Sequence, residues 1–380
     1  MPEKTVYLDH AATTPLDKDA FEAMKPYFTE IYGNADSPHA VGRKAMAAVD
    51  RARDTFAELL GAKPSEIYFT SGGTESDNWA ILGGAYAKKR EGRMHVLLSA
   101  VEHHAALSCG ERLQKEGFDV EYLPVDEKGV VRVDVLKEKL RADTALVGVM
   151  SVNNETGAIQ PVGEISRLAK EKGALFFTDA VQLAPYERIN VKDPEVDLLS
   201  ISSHKFYGPK GLGVLYIRSG VKMEKLVGGG EQERGLRGGT LNVPAIVGAA
   251  AAFEKNAATV YEMKEKIARL RALFLKEISE LEGVTVNGGE GLPAILNLRV
   301  SGVENTALLY RMDLEGVAIA AGSACASASV KPSHVLLAMG LTEAQAKNSV
   351  RISFGKDNEE EEILFAARKF VKTVRAIRNS

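Results

Sequence analysis

Cysteine is scarce in this chain: 380 residues hold two, Cys109 and Cys325. A disulfide framework is therefore not expected, and a zinc site built on clustered cysteines is excluded by number and spacing. Charge of one sign is not in excess either. Lysine and arginine number 48 against 51 aspartates and glutamates, a net charge of -3. That balance argues against a polyanion-binding surface, so nucleic acid is not expected as a partner. Long apolar runs are missing too. The longest, residues 244–253, is alanine-rich, too short for a membrane span and closed by Glu254. The opening Met1-Pro-Glu-Lys-Thr-Val-Tyr-Leu-Asp9 has no basic segment followed by an apolar core, so no signal peptide is expected. The expectation is a cytoplasmic protein with no membrane partner.

What is present is ordinary for a globular chain, 45% hydrophobic and 26% charged. Its length exceeds one compact core, which favours two domains. Seven short apolar runs, at 67–70, 95–99, 120–123, 145–150, 175–179, 198–202 and 214–217, read as strands. Amphipathic segments at 75–88, 105–116 and 162–172 read as helices, the last two stopped by Gly117 and Gly173. This alternation implies an α/β fold with a mostly parallel seven-stranded sheet covered by helices, its ligands gathered at the loops leaving the strands. Asn242-Val-Pro244 reads as a capped helix start, with helical pattern to about Leu281. Beyond it, strand-like 294–300, 317–320 and 349–353, helix-like 305–314 and a last helix from Asn358 suggest a smaller α+β domain. Glu359-Glu-Glu-Glu362 suits the positive end of that last helix. The expected division is a large domain over 16–260 and a small one built from 1–15 and 261–380.

Several segments carry chemistry. In Leu199-Ser-Ile-Ser-Ser-His-Lys-Phe-Tyr-Gly-Pro-Lys-Gly-Leu-Gly213 a strand ends in hydroxyl residues, then His204-Lys205, then a Gly/Pro turn. A lysine at such a strand end can form a Schiff base if its surroundings lower its pKa, although most lysines before Gly-rich turns are solvated. Phe176-Phe-Thr-Asp179 ends a buried strand in a carboxylate suited to a protonated ring nitrogen; a helix cap is the plainer reading. Ile67-Tyr-Phe-Thr-Ser-Gly-Gly-Thr-Glu-Ser76 is a strand, a Gly-Gly turn and a helix start, a shape that suits a phosphate without a nucleotide signature. Val101-Glu-His103-His104 follows the next strand. An imidazole there could stack on a planar ring, or the pair could be solvated; metal-site spacing is lacking. Asn153-Asn-Glu-Thr-Gly157 could make turns or line a pocket. Gly228-Gly-Gly-Glu-Gln-Glu-Arg-Gly-Leu-Arg-Gly-Gly-Thr240 reads either as a mobile surface loop or as a second phosphate contact across a subunit interface. Cys109, in a helical apolar pattern, reads as a structural thiol. Cys325, in Ala321-Gly-Ser-Ala-Cys-Ala-Ser-Ala-Ser-Val330, reads as a nucleophile on a pliant loop. Arg351, inside an apolar strand, fits either a carboxylate ligand or an internal salt bridge.

In this order the segments resemble the NifS/IscS-type cysteine desulfurases of group I, in the class V branch of the aminotransferase-like pyridoxal 5'-phosphate (PLP) enzymes. The resemblance runs from Tyr7-Leu-Asp-His-Ala-Ala-Thr-Thr-Pro15 to Arg351-Ile-Ser-Phe-Gly355. It is carried most specifically by Ser71-Gly-Gly-Thr-Glu-Ser76, Ser203-His-Lys-Phe-Tyr-Gly-Pro-Lys-Gly211, Arg234-Gly-Leu-Arg-Gly-Gly-Thr-Leu241 and Gly322-Ser-Ala-Cys-Ala-Ser-Ala-Ser329. It implies the PLP-dependent transferase fold (fold type I) and a homodimer. By resemblance, Lys205 holds PLP and later moves the α-proton, and His103 stacks on the ring and assists proton transfer. Asp179 pairs with the pyridine nitrogen and Gln182 contacts the ring hydroxyl. Gly73, Thr74, Ser202 and His204 bind the phosphate, with Thr240 supplied by the other subunit. Asn154 and Arg351 hold the substrate L-cysteine. Cys325 takes its sulfur as a persulfide, releasing alanine, and passes it to an acceptor such as an iron-sulfur scaffold protein. No intrinsic metal is implied, only a transient role for Cys325 as ligand of a shared iron-sulfur cluster. Asn34-Ala-Asp-Ser-Pro-His39 departs from the Asn-Pro-Ser-Ser common in the family, and His104 stands where other members often carry a different residue.

Overall fold

The computed structural model describes residues 5–322 and 331–379; Cys325 lies outside the described residues. Among the described residues there are twelve strands, β1 to β12 in chain order. Seven of them, β2 (Ile67–Thr70), β3 (His95–Ser99), β4 (Asp119–Leu123), β5 (Thr144–Gly148), β6 (Leu175–Asp179), β7 (Leu198–Ser202) and β8 (Gly213–Ile217), form one sheet in the order β2-β8-β7-β6-β5-β3-β4. Pairing is parallel from β4 through β7 and antiparallel for β7–β8 and β8–β2. All seven expected runs are therefore strands of one mostly parallel sheet. The run expected to reach residue 150 stops at Gly148, where the Met150 amide is diverted to the Glu102 carboxylate at 2.7 Å.

Successive side chains of a strand face opposite ways, and here both faces are dry. Leu97, Val147 and Phe176 pack on one side with Phe56 and Phe253. Val96, Leu98, Leu146, Leu175 and Phe177 pack on the other with Trp79 and Leu113. That is why these strands are continuous apolar runs rather than alternating ones. The first face is covered by a helix over Ala40–Leu60, which lies outside the segments read from the sequence. His39 caps it by accepting from the Gly42 N–H at 3.2 Å, and Gly61 ends it in the left-handed region at φ 68°.

A helix over Val243–Glu277, capped by Asn242 with Pro244 in its first turn, joins two cores. Phe253 stacks on Phe56 in the first, while Val260, Ile267 and Phe274 belong to the second. The second core lies under an antiparallel sheet of order β12-β10-β9: β9 (Val284–Asn287), β10 (Ile295–Val300) and β12 (Ser349–Ser353). The helix Glu360–Arg378 closes it through Phe370, with Glu359 and Glu362 forming a capping box at its start. The chain start reaches this unit as well: β1 (Val6–Tyr7) pairs in parallel with β11 (Val317–Ala318), and Asp9 bridges Ser353. Among the described residues no helix is long and apolar enough to cross a membrane.

Along the large sheet, the chain leaves β3 toward β4 on one side and takes up β5 on the other. The crevice beyond the ends of β3, β5, β6 and β7 is thus a switch point, where open α/β sheets hold their ligands. Residues 99–104, 149–157, 179–182 and 202–205 all fall there.

Candidate active site

A cavity of about 220 Å³ occupies that crevice, lined by Ala11, Ala12, Gly73, Thr74, Asp77, His103, Met150, Asn154, Asp179, Val181, Gln182, Ser202, His204, Lys205 and Arg351. Of the sequence-derived candidates it gathers Gly73, Thr74, His103, Asn154, Asp179, Gln182, Ser202, His204, Lys205 and Arg351. Thr240 is not brought in; it is exposed on its loop.

Lys205 ends the short turn Ser203–Lys205 that follows β7. Its Nζ donates to the carbonyls of Ala11 at 2.5 Å and Ala12 at 2.9 Å. The chain start thus holds the amine at the cavity. Gln182 is held by the same strip, its Nε2 donating to Ala11 O at 2.8 Å.

Asp179 ends β6, and its Oδ1 accepts from the Val181 N–H at 2.8 Å. It does not cap a helix. Burial raises its carboxyl to about 6, against the opposing pull of that N–H and of the Lys205 cation. Two further buried carboxyls lie near. Burial and then the Asp179 charge push Asp77 well above the ordinary carboxylate range, although Ser200 donates to it at 2.5 Å. Burial raises Glu102 to about 8. Neighbouring buried acids cannot all ionise. At neutral pH Asp179 carries the charge, with Asp77 and Glu102 neutral behind it.

His103 is the N-cap of the helix His104–Lys115, its Nδ1 accepting from Ala105 N–H at 3.2 Å. That bond leaves the proton of the neutral ring on Nε2. Burial, then the Lys205 cation, lower its pKa to about 4, and the same two causes bring His204 to about 4. His204 Nδ1 lies 3.1 Å from Thr13 Oγ1. His104 instead packs against His334, ring centroids 4.7 Å apart.

The phosphate-suited turn opens a continuous helical stretch, Gly73–Asn78, Trp79–Gly83 and Gly84–Lys89. Gly73 packs so closely that an added Cβ would sit 3.1 Å from Val181 and 3.3 Å from Ser202. The close fit favours glycine there, and its N–H points to Ser202 Oγ at 3.4 Å. Asp77, missed from the sequence, lies four residues on, one turn along the same face. The spacing from Gly73 would have exposed it.

The asparagine pair divides its two readings. Buried Asn153 makes the turn, its Oδ1 accepting from the N–H groups of Glu155 and Thr156, while Asn154 lines the cavity. Arg351, 1% exposed, has an internal partner: Nη2 meets Asp9 Oδ1 at 2.7 Å and Nη1 donates to Asn154 O at 2.9 Å. Its Nε lacks a partner among the described residues, and the side chain borders the cavity. The internal salt bridge is present, and the same residue lines the cavity. Cys109 is buried, its thiol on Ala105 O and pushed up to about 12 by burial, as an inert structural cysteine should be.

The model of the family "Aminotransferase class-V" matches residues 6–365. Cysteine desulfurase IscS of Clostridium botulinum strain Hall is 45% identical over 377 residues, 98% of this chain and 95% of that protein. Putative cysteine desulfurase IscS 1 of Bacillus subtilis strain 168 is 46% identical, over 98% and 99% respectively. Among solved structures, a NifS-like protein superposes with a TM-score of 0.92 at 36% identity, covering 98% of this chain and all of that one. A structure described as SspA in complex with cysteine gives 0.83 at 38%, covering 92% and 99%.

The cavity suits pyridoxal phosphate on its own terms. An amine and a charged buried carboxylate converge on it, the Gly73-Thr74 turn and the Ser202 hydroxyl border one end, and Arg351 lines its edge. The chain belongs to the class-V aminotransferase family, as a pyridoxal-phosphate-dependent enzyme of its cysteine desulfurases.

Proposed function

We propose that Cys325 takes the sulfur of L-cysteine as a persulfide, releasing L-alanine, in a homodimer that passes the sulfur to an acceptor such as an iron-sulfur scaffold protein. The observation that carries this reading is the convergence of Lys205, Asp179 and His103 on one cavity at the ends of neighbouring strands.

Bound pyridoxal phosphate supplies an electron sink for bonds at the substrate α-carbon. The residues do the rest. Lys205 holds the cofactor through Nζ and afterwards moves the α-proton. Asp179, the ionised member of its carboxyl group of three, keeps the ring nitrogen protonated; Gln182 contacts the ring hydroxyl. His103 stacks on the ring, neutral, with a proton to share on Nε2. Gly73, Thr74, Ser202 and His204 take the phosphate, with Thr240 of each protomer serving the other's cavity. Asn154 and Arg351 take the substrate, its carboxylate on Arg351. Asp9 already neutralises the far edge of that guanidinium, so an empty site leaves no bare buried charge.

The Cys325 thiolate then attacks the substrate sulfur. A sulfur–sulfur bond forms as the carbon–sulfur bond breaks, carbon keeps the electron pair, and a proton completes alanine. Cys325 afterwards serves as a transient ligand where a cluster is assembled. The proposed division places cofactor contacts in a large domain, 16–260, and the cysteine segment in a small one, 1–15 with 261–380. Persulfide chemistry suits a reducing compartment, and we place the protein in the cytoplasm.

Incubation with L-cysteine and dithiothreitol tests the reading. Sulfide and alanine should appear in equal amounts, and Cys325→Ala should lose sulfide. Bound cofactor without either product would sink the substrate assignment.

A further inference from the structure

From sequence, the loop 228–240 reads as mobile or as an interface contact. In the fold it is pinned by two ion pairs. Glu233, buried, meets Arg53 in a two-pronged pair, Nη2–Oε1 2.7 Å and Nη1–Oε2 3.0 Å, and also accepts from the Phe69 N–H at 2.9 Å. Glu233 and Arg234 both stand in the left-handed region, φ 47° and 61°. Two adjacent non-glycine residues hold such a conformation only where their surroundings over-determine it. The reading of a mobile loop is therefore corrected.

The second pair is the informative one. Arg237 Nε and Nη2 meet both oxygens of Glu75 at 2.8 and 3.0 Å, and the pair is largely buried. Glu75 sits in the first turn of the helix that begins at Gly73, and its Oε2 also accepts from the Ser71 N–H at 2.9 Å. A carboxylate is thus fixed beside the amides and the Thr74 hydroxyl proposed to receive a phosphate. Unpaired, it would repel a dianion and compete for the same N–H groups. Paired, it is an anchor. Thr240 follows Arg237 by three residues, within about 11 Å of chain. The intervening Gly238 and Gly239 amides are tied to Val227 O and Gln232 Oε1.

We propose that Glu75 and Arg237 are positioning residues for the cofactor phosphate: Arg237 cancels the Glu75 charge at the protomer's own Gly73-Thr74 cup and fixes the loop that offers Thr240 to the partner's cup. This rests on the cofactor and dimer reading above. It requires no contact between either residue and the cofactor.

Cofactor-free wild type, Arg237→Ala, Glu75→Gln/Arg237→Ala, Thr240→Ala and Arg237→Ala/Thr240→Ala are titrated with pyridoxal phosphate and, separately, with pyridoxal, which lacks the phosphate. Arg237→Ala should weaken pyridoxal phosphate binding by about tenfold or more, the scale of a charge-assisted contact. Adding Glu75→Gln should recover part of the loss, because the stranded carboxylate is gone. Pyridoxal binding should be the same in all five. Thr240→Ala should cost affinity alone but add little to Arg237→Ala, since coupled residues are not additive. Arg237→Lys, which keeps the charge without the two-pronged geometry, should fall between and guards against a misfolded alanine variant. Unchanged phosphate-dependent binding in Arg237→Ala, equal losses for pyridoxal, no recovery in the Glu75 double variant, or additive Thr240 effects would each overturn the proposal. Failure of the wild type to bind the cofactor would instead overturn the functional reading.

Discussion

Asp179→Asn is expected to stabilise the cofactor-free protein while abolishing its grip on the cofactor. In the folded chain burial lifts the Asp179 carboxyl from 3.8 to about 6. The unfolded chain therefore releases this proton first as pH rises. The contribution of the group to stability is complete below 3.8, is lost as pH climbs toward 6, and stays lost above it. At about 1.4 kcal/mol per pH unit, the ionised buried group costs on the order of 3 kcal/mol at pH 8. An asparagine of the same shape avoids that cost. It forfeits about 1 kcal/mol from the weaker bond to the Val181 N–H, so a net gain on the order of 2 kcal/mol remains. The assay is the denaturant midpoint of cofactor-free wild type and variant at pH 8 and near pH 4. The buried histidines titrate in both proteins and cancel in the difference. The variant should lead at pH 8 and the gap should close near pH 4, while binding of pyridoxal phosphate falls sharply. A variant less stable than wild type at pH 8, or a gap that ignores pH, would refute the account of Asp179 as a charge held at a cost for the cofactor.

Glu233→Ala should destabilise the protein by about 3–5 kcal/mol, because it strands Arg53 and the Phe69 N–H in the interior; a denaturant midpoint within the error of wild type would remove the loop's main anchor from the argument. The imidazoles of His103 and His204, lowered to about 4 by burial, should stay neutral by nitrogen NMR at pH 6. Since their unfolded counterparts protonate near 6.5, stability drawn from them is present above that value and should be lost as pH falls toward 4. With thiol reagents at neutral pH, Cys109 should remain unreacted in the native protein, its thiol raised to about 12, and a Cys325→Ala variant should show no fast thiol at all.

The large sheet was legible because strands buried on both faces spell themselves as unbroken apolar runs; six of its strands agree within one residue at both ends, and the seventh begins one residue early and ends two residues early, where Glu102 captures an amide. The helix Ala40–Leu60 and the edge strand β9 were not read, the first because alanine blurs its apolar stripe, the second because its residues are half exposed. In the site, residues at strand ends were visible as local punctuation: Asp179, Lys205, His103. Partnerships across the chain were not. Nothing near Arg351 names Asp9, and nothing near Lys205 names the carbonyls of Ala11 and Ala12, because those contacts depend on how the two units close on each other. Asp77 hid inside an ordinary polar helix start. The glycine loop left two readings open, mobile surface or interface contact, and its composition gave no sign of the two glutamate–arginine pairs that pin it.

The strip of chain from β1 to Ala12 has a consequence for how the enzyme comes into being. It pairs with β11, bridges Ser353, bonds Arg351 through Asp9 and holds Lys205. Arg351 is made 342 residues after Asp9, roughly 20–70 s later at ordinary rates of synthesis. Until then Asp9 has neither its arginine nor its bridge to Ser353. The strip that holds Lys205 thus gains the last of its anchors only once β12 has been made.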